Sequence, residues 1–269
     1  MDRSRKTIDT TETTHLYDTL APIYDAWQAS NEMRPFALVA SAKLLPVLDR
    51  EAHEGPFAFL DMGCGTGTLL CDLRVHHPGW ELAGVDGSRG MLAVARAKPQ
   101  AGSIAWSRAR LGDGLPFGPV FDAAGTFYDT LNHLPDDAAI SRALAAASAV
   151  VRPGGLVVFD VTNRLGFESW WLGTTRFRAA AWRLSIDARF DRSSQVGVAE
   201  VTIERGGRPR RFTLVERLVD DGRIRGMLAG AGLVVERAEP WSPFELDMPG
   251  KTWWVARKPL AALSGAKST

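Results

Sequence analysis

The sequence predicts an α/β fold, and three features carry the prediction. Phe57 to Leu60 is a short apolar run that ends in the turn Asp61-Met62-Gly63-Cys64-Gly65-Thr66-Gly67, with a helix expected from about Thr68. One helix length later, Leu82 to Val85 is a second apolar run with an acid, Asp86, at its tip. Further on, the run Val120 to Phe127 and the run ending at Asp160 flank an alanine-rich helix, Ala138 to Val151. Short apolar runs alternating with helical stretches make a parallel sheet with crossover helices. The expected architecture is therefore a Rossmann-like, seven-stranded, mostly parallel sheet with helices on both faces. A small antiparallel β insert is expected to roof its pocket.

The glycine-rich turn sets the chemistry. Gly63, Gly65 and Gly67 remove the Cβ atoms that would keep a ligand off the backbone, and they tolerate positive φ. In a parallel sheet the tip of the second strand lies beside this turn, so Asp86 can accept two hydroxyl hydrogen bonds from a ribose. A dinucleotide site spaces its glycines G-x-G-x-x-G around a pyrophosphate. Here the spacing is G-x-G-x-G, and Asp61 stands directly before it. A carboxylate at that point repels a pyrophosphate and suits a cation. These two departures argue against an NAD-dependent oxidoreductase.

The stretch "FLDMGCGTG" resembles the first motif of the class I S-adenosylmethionine (SAM)-dependent methyltransferases, and "VDGSRGML" resembles their second. The resemblance implies SAM as cofactor and S-adenosylhomocysteine as product. It puts Asp61, Gly63, Gly65 and Gly67 at the amino acid end, Asp86 and Gly87 at the ribose, and Met91 against the adenine. Met91 on a helix also fits plain core packing. Asp113-Gly114, followed by Leu115-Pro116-Phe117, resembles the third cofactor motif, whose acid accepts from the adenine amino group. The run "NHLPDD…VRPGGLVVFDVTN" resembles the glycine N-methyltransferase group and bacterial small-molecule N-methyltransferases. That implies an amine nitrogen as methyl acceptor ahead of a hydroxyl. The likeness is good over residues 57–163, loose over 15–27 and absent beyond.

Composition bounds the partners. The chain has 269 residues and a net charge of +1, so nothing in the total favours nucleic acid or another polyanion. Cys64 and Cys71 both sit around the glycine turn and its helix, a spacing that fits a reducing cytosol better than a disulfide framework. No apolar run approaches the ~20 residues of a membrane span. The expectation is a cytoplasmic enzyme with a small-molecule substrate, no membrane or nucleic-acid partner and no metal. Self-association is left open.

Along the chain, residues 1–14 are charged and Thr-rich and are expected to be disordered. Residues 15–50 are expected to form lid helices, with Pro22 breaking the first or starting a second. Tyr17-Asp18 and Tyr24-Asp25 recur at a spacing of seven, which places both tyrosines on one helical face. The family resemblance makes Tyr17 and Tyr24 cofactor contacts; Arg34 can reach the SAM carboxylate or lie on the surface. Residues 51–163 form the SAM-binding core. Residues 164–216 alternate polar and apolar residues around turns and read as an antiparallel meander over the pocket, with Trp170, Trp171, Phe177 and Trp182 as an aromatic wall. Residues 217–258 complete the core sheet, and 259–269 are a tail.

Ligands in an open parallel sheet bind outside the carboxyl ends of the strands, which puts Phe127, Tyr128, Asp129, Asn132 and His133 at the pocket mouth. Methyl transfer from a sulfonium is an in-line displacement that demands alignment and exclusion of water. A base is needed only where the nucleophile starts protonated. His133 is the first candidate, with Asp129 second and Tyr24 third. His133 can equally hydrogen-bond the cofactor ribose or a loop carbonyl. Tyr128, Asn132, Asn163, Arg164 and Trp170 are the candidate substrate contacts. A non-catalytic SAM-binding scaffold is the remaining alternative, and the polar trio Asp129, Asn132 and His133 argues for catalysis over it.

Overall fold

A computed structural model describes residues 8–30, 35–52, 56–118, 120–243 and 248–260. Its main sheet has seven strands: β1 (Ala58–Met62), β2 (Glu81–Asp86), β3 (Ile104–Arg108), β4 (Phe121–Thr126), β5 (Val151–Thr162), β10 (Val234–Trp241) and β11 (Lys251–Arg257), in the order β10-β11-β5-β4-β1-β2-β3. Strands β3, β2, β1, β4 and β5 pair in parallel, while β11 runs antiparallel between β5 and β10. Side chains along a strand alternate between faces, and here both faces are apolar. Leu60, Met62, Phe159 and Trp254 pack beneath the helices α5 (Asp137–Val150) and α7 (Asp221–Gly230). Phe59, Val158 and Trp253 pack on the other face against α2 (Phe36–Glu51) and α3 (Thr68–His76). The expected seven-stranded sheet, covered on both faces, is what the chain forms.

Three departures from the sequence reading matter for the site. First, α1 starts at Thr10, inside the stretch expected to be disordered, because Asp9 caps it by accepting from Thr11 N (2.8 Å) and Glu12 N (3.2 Å). Second, α1 runs unbroken to Ala29 through Pro22. Its apolar side chains Leu16, Leu20 and Ile23 are buried in a cluster with the insert, and that packing outweighs the hydrogen bond the proline removes. Third, the insert opens with a short helix, α6 (Arg164–Trp170), before its four-stranded meander: β6 (Leu172–Ala179), β7 (Trp182–Asp191), β8 (Val196–Arg205) and β9 (Arg208–Arg217). The meander packs Leu184, Val201, Ile203 and Phe212 against α1. Among the described residues none of the insert lines the main cavity. The insert packs behind α1, and α1 covers the cavity.

Candidate active site

The carboxyl ends of β1, β2 and β4, with α1 laid across them, enclose a cavity of about 600 Å³. That volume suits a nucleoside-sized ligand with a small partner. Its floor is the glycine turn after β1. Gly63, Gly65 and Gly67 have φ of +83°, +53° and +70°. A Cβ on Gly63 would lie 2.6 Å from the Thr130 side chain, and one on Gly67 would lie 2.4 Å from the Trp106 ring. Gly63 and Gly65 line the cavity. Gly67 does not; it starts α3 and admits the indole of Trp106.

Asp86 ends β2 and is pre-oriented by backbone donors: Gly65 N reaches its Oδ2 at 2.9 Å and Ser88 N its Oδ1 at 2.7 Å. Burial pushes its carboxyl up, and those two donors pull it back. Each oxygen keeps a lone pair for a hydroxyl. Asp61 is different. It is 3% exposed, faces the cavity and takes no hydrogen bond from any described residue. Burial, then the charge of Asp86, lift its carboxyl to about 8. A buried carboxylate without a donor is satisfied by a cation brought from outside. A ligand with a positive end at Asp61 and a ribose at Asp86 therefore fits. Gly87 and Met91 line the same wall, and Asp113 lies farther along it; Gly114 faces a neighbouring surface groove instead.

The other end of the cavity is aromatic. The chain has three tyrosines, and Tyr17, Tyr24 and Tyr128 all line this cavity. Tyr17 and Tyr24 meet edge-on at 6.4 Å, Phe36 lies 4.3 Å from the Tyr128 ring, and Gln28 Nε2 donates to Tyr128 Oη at 2.8 Å. His133 Nε2 lies 3.0 Å from Tyr17 Oη. Burial, reinforced by Lys251 and opposed by Asp129, lowers the imidazole to about 4, so it is neutral at pH 7. The seven-residue Tyr-Asp repeat explains how α1 is held. Its tyrosines face the cavity, and its aspartates tie the helix to the elements beneath it, Asp25 from the cavity wall itself. Asp18 accepts from Ser88 Oγ (2.6 Å) and Gly90 N (2.8 Å); Asp25 accepts from Thr66 Oγ1 (2.5 Å) and pairs with Lys98 (2.8 Å).

Several expected contacts are placed elsewhere. Asp129 is ion-paired with Lys251 and accepts from the Thr162 hydroxyl, which leaves it poorly placed as a base. Asn132 is fully buried and staples backbone: its amide donates to Arg217 O (2.8 Å) and Thr162 O (3.3 Å) and accepts from Thr162 N (3.0 Å). Asn163 caps α6 and donates to Pro249 O. Arg164 lies 3.9 Å from Glu168 on the surface, and Trp170 packs over Gly250. None of these five lines the cavity, nor do Trp171, Phe177 and Trp182. Phe127 does line it, stacked on Trp253 at 5.4 Å. Arg34 lies outside the described residues.

Two buried groups near the acceptor end escaped the sequence reading. Glu216, on β9, lies 3.5 Å from His133 Nε2, its carboxyl pushed well up by burial and then by Asp129. Lys251, at the start of β11, pairs with Asp129 and Asp160. Glu216 sits in a strand already rich in charge and Lys251 opens a mostly apolar one, so nothing local marks either as part of a site.

Residues 59–155 match the methyltransferase domain family. A protein of Geobacillus sp. (strain WCH70), named as a methyltransferase, is 31% identical over 140 residues, 51% of this chain and 50% of its own length. The ubiquinone biosynthesis O-methyltransferase of Sodalis glossinidius (strain morsitans) is 30% identical over 140 residues, 51% of this chain and 54% of its own. The chain spans about half the length of these curated relatives. Among solved structures, the sugar N-methyltransferase KedS8 from Streptoalloteichus sp. ATCC 53650 superposes with a TM-score of 0.65 at 24% identity, over 87% of this chain and 92% of that one. At that identity the likeness is one of fold. Over residues 59–155 the chain therefore matches a methyltransferase domain, and it shares its fold with solved methyltransferases. None of these matches supports an NAD-dependent oxidoreductase.

Proposed function

We propose that the protein transfers a methyl group from SAM to the nitrogen of a small-molecule amine. The imidazole at the acceptor end carries the choice of nitrogen: His133 is buried, held 3.0 Å from Tyr17 Oη, and lowered by that burial to about 4, which makes it a weak base. A hydroxyl acceptor must lose its proton as it attacks, and so weak a base removes it poorly. A neutral amine already presents its lone pair. The similar proteins include both acceptor types: a sugar N-methyltransferase shares the fold over 87% of this chain, and an O-methyltransferase is 30% identical over about half of it.

When bound, SAM supplies a methyl group on a sulfonium, a leaving group that departs neutral. Asp61 would hold its positive amino acid end, Asp86 its ribose hydroxyls and Asp113 its adenine. At the other end Tyr17 orients the acceptor. With the His133 proton on Nδ1, the Tyr17 hydroxyl donates to Nε2 and its oxygen lone pairs remain for an amine N–H, which aims the nitrogen lone pair away from Tyr17. Phe36, Tyr24 and Tyr128 exclude water. Catalysis on this account is alignment, which can supply about 7–11 kcal/mol of a barrier. We assign the reaction to the cytoplasm, a compartment whose reducing conditions suit two free thiols such as Cys64 and Cys71.

The test is calorimetric titration with SAM and with S-adenosylhomocysteine, followed by an amine and phenol panel read by mass spectrometry for an added methyl. Binding of both, with methylated amines, is the expected result. Methylated phenols alone would overturn the nitrogen assignment. Failure of the folded protein to bind either nucleoside would overturn the whole reading.

A further inference from the structure

We propose that Lys251, delivered by the last strand, is a positioning residue for the acceptor wall: its ammonium holds the turn that carries Tyr128 and His133. The inference rests on the methyltransferase reading for its purpose, though not for its geometry.

Tyr128 and Asp129 are consecutive non-glycine residues with φ of 58° and 62°. The left-handed region is unfavourable for residues with a Cβ, and two in succession persist only where the surroundings hold them. Here the holding is explicit. Asp160 Oδ2 accepts from Tyr128 N at 3.0 Å, and its Oδ1 from Asp129 N at 3.5 Å. Lys251 Nζ donates to Asp160 Oδ1 at 2.8 Å and is bonded to the Asp129 carboxylate as well. The lysine therefore grips the turn twice, once through Asp129 itself and once through the acid that anchors its backbone. The same turn reaches His133, whose backbone N donates to Asp129 O at 3.3 Å. The ammonium also lies 5.0 Å from the Phe36 ring centre and 5.7 Å from that of Tyr128, beneath two rings of the wall.

Lys251 is 1% exposed and Asp160 is not exposed at all. Removing such charges from water is costly, and an apolar side chain of similar size often serves stability as well or better. A lysine here is best accounted for by what it aligns. Methyl transfer is sensitive to that alignment, because a misplacement of about 1 Å can cost about 100-fold in rate.

The chain's three tyrosines make a direct test. Protein labelled with fluorotyrosine gives one fluorine NMR signal for each, assigned through single Tyr→Phe variants. In Lys251→Met the Tyr128 signal is expected to shift or broaden while that of Tyr24 stays in place. Because Lys251→Met strands two carboxylates and can fail to fold, the triple variant Lys251→Met/Asp129→Asn/Asp160→Asn, which leaves none of them charged, is read in parallel. An unmoved Tyr128 signal in either folded variant overturns the proposal. Acceptor kcat/KM of the variants is expected to fall about 100-fold with SAM affinity unchanged. A parallel loss of SAM affinity would instead make Lys251 a support of the whole fold and overturn its specific role. Failure of the wild-type protein to bind SAM would remove the methyltransferase reading and leave the NMR result standing.

Discussion

The two ends of the cavity are made of different materials. The end around Asp61, Asp86 and Asp113 is built from backbone turns and carboxylates, and its parts lie on the tips of neighbouring strands. The end around Tyr17, Tyr24, Tyr128 and His133 is built from rings, and its parts come from α1, the loop after β4 and, behind them, β9 and β11. On the proposed function, acids at one end and rings at the other sort a cationic donor from an acceptor. They also divide the consequences of substitution: changes at the acidic end should alter donor affinity, and changes at the aromatic end should alter turnover.

The largest expected effect breaks the acidic end by its backbone. Gly67→Val places a branched side chain at φ +70° with its Cβ 2.4 Å from the Trp106 ring. It should cost about 3 kcal/mol or more of stability, read by denaturant unfolding. A cost under about 1 kcal/mol would show that α3 can shift to make room.

Next is the pH dependence of donor binding. With Asp61 near 8 in the free protein, binding a cation must release its proton. SAM affinity should then rise about tenfold per pH unit below pH 8 and flatten above it, and Asp61→Asn should abolish the slope. The same group makes a stability prediction without ligand. Its folded pKa is raised, so the stability it confers is complete at or below the ordinary carboxylate range. That stability is lost as pH rises to about 8. Calorimetry in buffers of different ionisation enthalpy counts the released proton directly.

Asp86→Ala should weaken SAM binding by roughly 1.5–3 kcal/mol, the range for hydrogen bonds to a charged group. Unchanged affinity would remove Asp86 from the donor site. The smallest effect sharpens the contrast at the other end. His133→Ala should lower turnover about tenfold through loss of the Tyr17 hydrogen bond, with SAM affinity nearly unchanged. The reverse pattern would move His133 to the donor side of the division.

The same division governs how much could be seen before the structure. The acidic end was legible because its chemistry is local: a strand, three glycines and an acid within one turn, then a second acid on the neighbouring strand. The fold was legible for a similar reason, since strands buried on both faces announce themselves as apolar runs. The aromatic end was only half legible. Tyr17 and Tyr24 stood out by their spacing, but Lys251 meets Asp129 across 122 residues, and no pattern in either segment records the other. Asn132 and Asn163 looked like ligands because they follow strand tips; both are engaged with backbone, which periodicity does not report. Helix α6 was hidden because seven residues in a region of strands make no repeat long enough to show its period.

The Tyr-Asp repeat on α1 also makes that helix a ruler. Successive helical residues are turned by about 100°, so the interval from Tyr17-Asp18 to Tyr24-Asp25 fixes which rings face the cavity and which carboxylates meet Ser88, Thr66 and Lys98. The composition between the marks is free to drift, but its length is not. A single residue inserted between positions 19 and 23 would leave the first pair seated and swing the second aside. Tyr24 would leave the cavity and Asp25 would lose Thr66 and Lys98. Related chains that keep this site should therefore vary in letters along α1 and hold its count unchanged.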